Sequence, residues 1–360
     1  MSAPVAALWR IRQHPRTALV AAACGLLAVF VLALGIGAIW IRPLHVLDAL
    51  AAALGLPGAG ELVSDMHTSI LYSVRVPRVF LGVLAGAVLA VTGVLMQAFF
   101  RNPLADPALI GVAAGGALGA VSMIVLGVSF YAGLTTTMSI FALPAAAFLG
   151  SLVASGIVFA LARHEGRVDV TTMLLCGIAV NAMAGAGIGL LSFAADDAQL
   201  RDLTFWSLGS LGAASWWQVQ AVLPSVLILA LVAAFLMPAL NALLLGDSEA
   251  LHLGYRVEAL KVSILFLTCI GAGAVVATCG VIGFIGLIAP HLARLLVGPD
   301  HRHVLPLAAM LGATLLTLAD IVARTIVSPA ELPIGVLTAL IGGPIFLWLL
   351  RRKTGRGMHA

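Results

Sequence analysis

The sequence predicts an all-α polytopic membrane protein with about ten membrane-spanning helices. Three observations carry that expectation. Of 360 residues, 62% are hydrophobic and only 9% are charged, whereas a soluble domain carries about 25% charged residues. Mean hydropathy is +1.13. Apolar segments long enough to cross a bilayer core of about 30 Å, at about 1.5 Å per residue, recur along the chain between short polar islands.

The first apolar run, 17–41, follows Arg10, Arg12 and Arg16. A cleavable signal peptide has an apolar core of about 7–15 residues ahead of a soluble domain. This run is longer and no soluble domain follows, so it reads as an uncleaved span. The second span, 75–99, is the clearest. The 22 residues between Arg78 and Arg101 carry no charge, with RVPR at one end and RNPLADP at the other. Spans three to six fall at 107–127, 137–162, 170–195 and 216–241. Spans seven and eight, 257–278 and 284–297, are separated by the apolar, glycine-rich GVIGFIG, and the eighth is short and contains Pro290. Short or broken helices persist in a membrane only where protein or an aqueous cavity satisfies the backbone. Spans nine and ten fall at 304–326 and 335–350. The sequence leaves open whether the segment 42–74 is ordered.

Positive charge sets orientation. With the N-terminus inside, the cytoplasmic islands hold 14 of the 19 basic residues, and the outer side holds Arg42, Arg75, Arg78, Arg201 and Arg324. Both termini are therefore expected in the cytoplasm. The net charge of +4 is a topology signal rather than a nucleic-acid one, because the basic residues sit in short clusters between apolar runs. Cys24, Cys176, Cys269 and Cys279 form no C-x-x-C pair and read as small apolar residues. One internal echo stands out. GAVLAVTG, 86–93, and GAVVATCG, 273–280, each precede a proline, Pro103 and Pro290, by ten residues. They lie five spans apart, hence in opposite orientation, as an inverted repeat of spans 2–5 and 7–10 requires. Small-residue helices also resemble one another without such a relation.

What is missing narrows the function. A P-loop needs G-x-x-x-x-G-K-[ST] to hold phosphates. The two lysines, Lys261 before Val262 and Lys353 between Arg352 and Thr354, do not fit that pattern. An ion-coupled carrier keeps carboxylates inside its spans. The strong candidate is Asp320, and Arg324 four residues later shares its helix face, so a structural ion pair, Asp320–Arg324, competes with a carrier role. H-E-x-x-H is absent, and His291 reads better as a packed histidine than as a metal ligand. No catalytic residue is therefore assigned. The remaining class is a conduit driven or gated by another protein. The island Leu245–Lys261 offers a docking surface. Asp247 or Ser248 caps a short helix, Glu249 suits its positive end and Gly254 stops it. Leu251 and Leu253 face outward to a partner's groove or lie on lipid headgroups.

These residues resemble the FecCD-type permeases, the membrane subunits of binding-protein-dependent ABC importers for iron-siderophores, haem and vitamin B12. The resemblance runs from about Arg75 to Arg351. It rests on RVPR, GVLMQAFFRNPLADPALIGVAAGGALGA, FWSLGSL, GVIGFIGLIAPHLARLLVGPDHRHVLPL, LADIVAR and ELPIGVLTALIGGPIFLWLL, in the family's order. It implies one permease domain over 1–360 of the vitamin B12 permease type. The N-terminal segment 1–16, a coupling segment 245–256 and the tail 351–360 would be cytoplasmic, in a bacterial inner membrane. It implies a homodimer that binds two ATPase subunits below and a periplasmic substrate-binding protein above. This chain would hold no permanent cofactor, and ATP and Mg would be used by the ATPase. By residue, the resemblance implies binding-protein docking at Arg75, Arg78 and Arg324, and a cytoplasmic gate at Asn102 and Leu104. Thr171 and Thr172 would form a second constriction. ATPase coupling would fall to Asp247, Ser248, Glu249, Leu251, Leu253 and Gly254. Periplasmic helices would lie near 199–212 and 329–334. The stretch Asp196–Trp216 is most similar to the haem-importing branch, with siderophore and cobalamin import as alternatives. A stand-alone secondary carrier is the rival class.

Overall fold

The computed structural model describes residues 15–37, 39–56, 60, 64–127, 136–165 and 167–356. The chain begins with α1 (Pro15–Gly35) and α2 (Pro43–Ala53). A short α3 (Asp65–Ile70) runs through a π-turn, Leu71–Arg75, into α4 (Val76–Phe99). A 3₁₀ turn, Pro107–Ile110, leads into α5 (Val112–Leu126), followed by α6 (Thr136–Ala162). An antiparallel hairpin, β1 (Arg163–His164) with β2 (Arg167–Val168), connects to α7 (Val170–Ala194) and then α8 (Asp197–Ser207). The rest comprises α9 (Trp216–Leu243), α10 (Asp247–His252), α11 (Val257–Cys279), α12 (Ile285–Val297), α13 (His301–Ala323) and α14 (Ile334–Arg356). Arg10, Arg12 and the last four residues of the tail lie outside the described residues.

Among the described residues, seven helices are long and apolar enough to cross a membrane. Three of the ten expected spans fall on shorter apolar helices, α5, α12 and the Ile334–Leu347 part of α14. The shortening has local causes. Pro107 opens a 3₁₀ turn where span three was expected to begin, and Gly111 takes φ +84° before α5. Ahead of α12, Gly280 and Phe284 both adopt positive φ, so GVIG stays non-helical. The first span is also shorter than its apolar run. α1 stops at Gly35 instead of Ile41 because Ile41 N–H turns back to donate to the Gly35 carbonyl, 3.0 Å away. The segment 42–74 holds α2 and α3, with Val46 and Ala49 of α2 packed in one cluster with Leu34 and Leu71. The helix expected near 199–212 is α8. Asp196 and Gln199 close a reciprocal capping box at its start. The stretch 329–333 is a turn, a bend and irregular chain instead of a helix, which begins only at Ile334, since Pro329 and Pro333 supply no backbone donor.

α4 lies at the centre of the molecule and packs against α9, α11, α12 and α13. Nineteen of its 24 residues are buried, and the other five, Phe80, Val83, Leu84, Ala87 and Val91, fall on one stripe. With little hydrophobic drive between helices in lipid, such packing depends on close backbone approach. Two glycine pairs provide it. A Cβ on Gly86 would sit 2.4 Å from the Gly312 carbonyl oxygen of α13. A Cβ on Gly93 would sit 1.8 Å from the Gly286 carbonyl oxygen of α12. The packing also repeats internally. The pairs α4–α13, α4–α12 and α12–α13 have counterparts in α11–α6, α11–α5 and α5–α6. That correspondence maps spans 2, 3 and 4 onto 7, 8 and 9, in the register of the GAVLAVTG and GAVVATCG echo.

Candidate functional site

The polar groups singled out in the sequence gather at the two ends of α4. At its first end, Arg78 is buried and its guanidinium is engaged by two carboxylates. Nε and Nη2 donate to Asp320 Oδ1 at 3.0 and 2.8 Å, and Nη1 donates to Glu331 Oε1 at 2.8 Å. Nη2 also donates to Glu331 Oε2 at 2.9 Å, so the two Nη groups grip Glu331 as a fork, the strong form of an arginine–carboxylate pair. Asp320 therefore pairs chiefly with Arg78, 242 positions away in sequence. Its helical neighbour Arg324 is a longer-range partner, with Nε 3.6 Å from Asp320 Oδ2. The i,i+4 spacing identified a contact but not the dominant one, because only α4 brings a guanidinium end-on to the carboxylate.

Arg75 and Arg324 are buried as well. Arg75 Nη1 donates to the Leu34 and Gly35 carbonyls, each at 2.7 Å, and Nη2 donates to the Ile39 carbonyl. Arg324 Nη2 donates to the Ala33 carbonyl at 2.6 Å. A helix C-terminus leaves its last carbonyls without intrahelical donors, and these two arginines satisfy those of α1. None of the three arginines expected at a docking surface is thus open to solvent in this conformation. Glu331 was not assigned a role from sequence, although it is the carboxylate nearest Arg324 along the chain in the loop after α13. Its side chain is 42% exposed.

The Arg78 hydrogen bonds hold the Glu331 carboxyl below its ordinary value of 4.5, against burial that raises it. The sign follows directly. A carboxylate depressed in the folded state contributes stability that is complete above the unfolded value and is lost as pH falls through the lower folded value. Unfolding measured from pH 7 to pH 3 should show this contribution intact above about pH 4.5 and lost progressively below it, and Glu331→Gln should remove that acid-side dependence. An unchanged acid limb in the variant would show that the pair adds no stability.

At the other end of α4 the chain turns sharply. Arg101 adopts φ +48°, and Asn102 Oδ1 accepts from Leu104 N at 3.1 Å. Asn102 is exposed and Leu104 half-buried. Asp106 Oδ1 caps the 3₁₀ turn by accepting from Ala108 N at 2.9 Å, and burial pushes this carboxyl above the usual carboxylate range. The 3₁₀ turn lies directly on α7. Leu109 O sits where a Cβ on Gly177 would be 1.9 Å away, and Asn181 Nδ2 donates to Ala108 O at 3.2 Å. Thr171 and Thr172 are exposed in the first turn of α7. Asp169 Oδ1 caps that turn by accepting from Thr172 N at 2.6 Å, and the Thr172 hydroxyl, then this backbone N–H, hold the Asp169 carboxyl below its ordinary value. The Asn102–Asp106 loop and the start of α7 are thereby parts of one packed unit.

The six-residue α10 lies next to this unit. Gly246, with φ +128°, occupies the N-cap position, so Asp247 is the first helical residue and neither Asp247 nor Ser248 is the cap. Its carboxylate is instead drawn sideways to Lys261 and Arg101. Glu249 lies in the first turn, and Gly254 takes φ +87° just beyond the end, as a C-terminal stop requires. Leu251 and Leu253 are 59% and 60% exposed.

Comparison with known proteins gives this arrangement a context. Residues 25–352 match the model of the FecCD transport family. The chain is 46% identical over 290 residues to the hemin transport system permease protein HmuU of Yersinia pestis, covering 81% of this chain and 85% of that one. It is 38% identical over 296 residues to the cobalamin import system permease protein BtuC of Halobacterium salinarum, covering 82% and 77%. A solved inward-facing ABC transporter of metal-chelate type superposes with a TM-score of 0.79 at 31% identity, over 93% of this chain and 98% of that one. A multi-pass helical chain with this packing, matched along nearly its whole length, belongs to the FecCD transport family and is an ABC importer permease.

Proposed function

We propose that this permease moves haem from a periplasmic binding protein into the cytoplasm, driven by a separate ATPase. The observation that carries haem is the extent of likeness to the haemin permease, 46% identity over 290 residues. The likeness to a cobalamin permease supports the alternative cargo. The working unit would be a homodimer in a bacterial inner membrane, with two ATPase subunits and both termini cytoplasmic; the distribution of basic residues supports that orientation. The Arg78 end of α4 would then face outward. Asn102, Leu104, Thr171 and Thr172 would constrict the pathway at the inner face, and Asp247 to Gly254 would receive the ATPase. Docking of a binding protein at Arg78 proceeds by exchange. A partner carboxylate takes the place of Glu331, the carboxylate of the pair whose side chain reaches water. Arg75 and Arg324 hold the end of α1 beside that exchange.

Reconstitution into proteoliposomes with its ATPase and binding protein tests the reading. ATP-dependent haem uptake is expected, with cobalamin and ferric siderophore competing poorly. Uptake of cobalamin without haem would transfer the cargo assignment, and uptake by the chain alone would establish a secondary carrier. Replacing both Leu251 and Leu253 with Glu should weaken ATPase binding by at least about tenfold, since burying one leucine is worth about 1.5–3 kcal/mol. Unchanged ATPase affinity would place these leucines on lipid instead.

A further inference from the structure

Four charged side chains join α10 to both of the proposed constrictions. Asp247 sits at the branch. Its Oδ1 lies 3.9 Å from Arg101 Nε, and Arg101 immediately precedes Asn102 in the strained turn that ends α4. Its Oδ2 accepts from Lys261 Nζ at 2.8 Å. Lys261 is on α11, and its side chain is only 6% exposed. Lys261 Nζ in turn lies 3.6 Å from Glu258 Oε1, and Glu258 Oε2 accepts from the backbone N–H of Val168 at 2.9 Å. Val168 ends the β hairpin and is followed directly by Asp169, whose carboxylate caps the turn carrying Thr171 and Thr172. One arm thus runs from α10 to the Asn102–Leu104 loop, and the other runs to the start of α7.

The placement is costly unless it serves a purpose. A lysine ammonium so far removed from water needs paired carboxylates to offset its desolvation, and here one of them belongs to the six-residue helix that exposes Leu251 and Leu253. A non-glycine residue at φ +48° is likewise unfavourable, and it aims Arg101 at the same carboxylate. Asp247 is the one member of the cluster on α10, so a displacement of that helix moves the carboxylate shared by Arg101 and Lys261.

We infer that Asp247 passes displacement of α10 to both inner constrictions, through Arg101 to the Asn102–Leu104 loop and through the positioning residues Lys261 and Glu258 to the start of α7. The inference rests on the ATPase-docking and gating assignments proposed above, and the experiment separates the two. Leu104→Cys and Thr171→Cys are placed singly in the permease–ATPase complex. Their rates of reaction with a membrane-impermeant maleimide are measured with and without a non-hydrolysable ATP analogue, against the parent with its native cysteines. If nucleotide changes neither rate in the otherwise unaltered chain, the gating assignment fails. If it changes both, Asp247→Asn should abolish the change at both sites, whereas Lys261→Met should abolish it at Thr171→Cys alone and Lys261→Arg should restore it there. Arg101→Gln should silence Leu104→Cys alone, and Glu258→Gln should silence Thr171→Cys alone. Each loss should be up to about fivefold, the scale of one partly exposed ion pair.

Bound ATPase is quantified in every variant by co-purification. Nucleotide-dependent labelling of Thr171→Cys that persists in Lys261→Met, or labelling at either site that persists in Asp247→Asn, would overturn the relay, as would loss of ATPase binding in Lys261→Met, which would make Lys261 part of the docking surface. Should Lys261→Met fail to fold, the two single-arm variants decide the matter, because both alter side chains that are partly exposed. If each of them silenced both sites or neither, the branched path would be wrong.

Discussion

Arg78→Leu is expected to destabilise the protein by about 3–5 kcal/mol, the cost of leaving one member of a buried ion pair without its partner. The stranded group is Asp320, whose side chain is 3% exposed. Glu331 loses the same guanidinium at far smaller cost, because water reaches it. The double variant Arg78→Leu/Asp320→Leu should therefore recover most of the loss, since replacing both charges by apolar groups removes the uncompensated charge. Denaturant unfolding in detergent micelles checks both. If the double variant were as unstable as Arg78→Leu, the ionic cluster would be contributing through Glu331 or through packing instead. Asp320→Asn differs from either change, because a neutral amide still accepts from Arg78 and leaves Glu331 as its one carboxylate. The loss expected there is smaller than for Arg78→Leu.

Gly93→Val should prevent correct assembly of α4 against α12. Even a single Cβ at this position would lie 1.8 Å from the Gly286 carbonyl oxygen and 2.7 Å from Gly286 Cα. Both neighbours are backbone atoms, so no rotamer change relieves the overlap. Overpacking at a side-chain contact costs about 1–3 kcal/mol and occasionally more, and a backbone clash on the central helix belongs at or beyond the upper end. The measurement is the yield of monodisperse protein after extraction from the membrane, together with its unfolding midpoint. Gly25→Val on α1 serves as the control, because nothing lies within 4 Å of a Cβ built there. Similar behaviour of the two variants would mean that α4 and α12 can separate without loss of structure.

The two expected results depend on different kinds of information. Gly93 falls in a motif visible in the sequence, and the echo between GAVLAVTG and GAVVATCG anticipated that small residues matter on spans two and seven. The sequence could not name Gly286 as the neighbour, because a helix contact between residues so far apart leaves no local periodicity. Arg78 was equally visible in RVPR. Its partners were not, since the i,i+4 rule reaches only along one helix and so selected Arg324 for Asp320. Glu331 escaped notice for a related reason. A carboxylate in a polar loop looks solvated until α4 delivers a guanidinium to it. At the inner end, Asp247 read as a cap residue because its type and position fit that role, yet Gly246 takes the cap and Asp247 turns to Lys261 and Arg101.

The sequence alone determined that this chain is a helical membrane protein, where its long apolar helices run, and which family its motifs resemble. Those properties follow from composition and from patterns within single segments, which the bilayer enforces by demanding apolar side chains and internally satisfied backbone. Only the tertiary structure decided that three spans are carried by shorter helices, that the arginines at the head of α4 are buried, and that Asp247 of α10 pairs with Arg101 and Lys261. Each of these depends on which polar groups meet across helices distant in sequence. In a low-dielectric interior a charge takes the partner that packing delivers, not the one nearest along the chain.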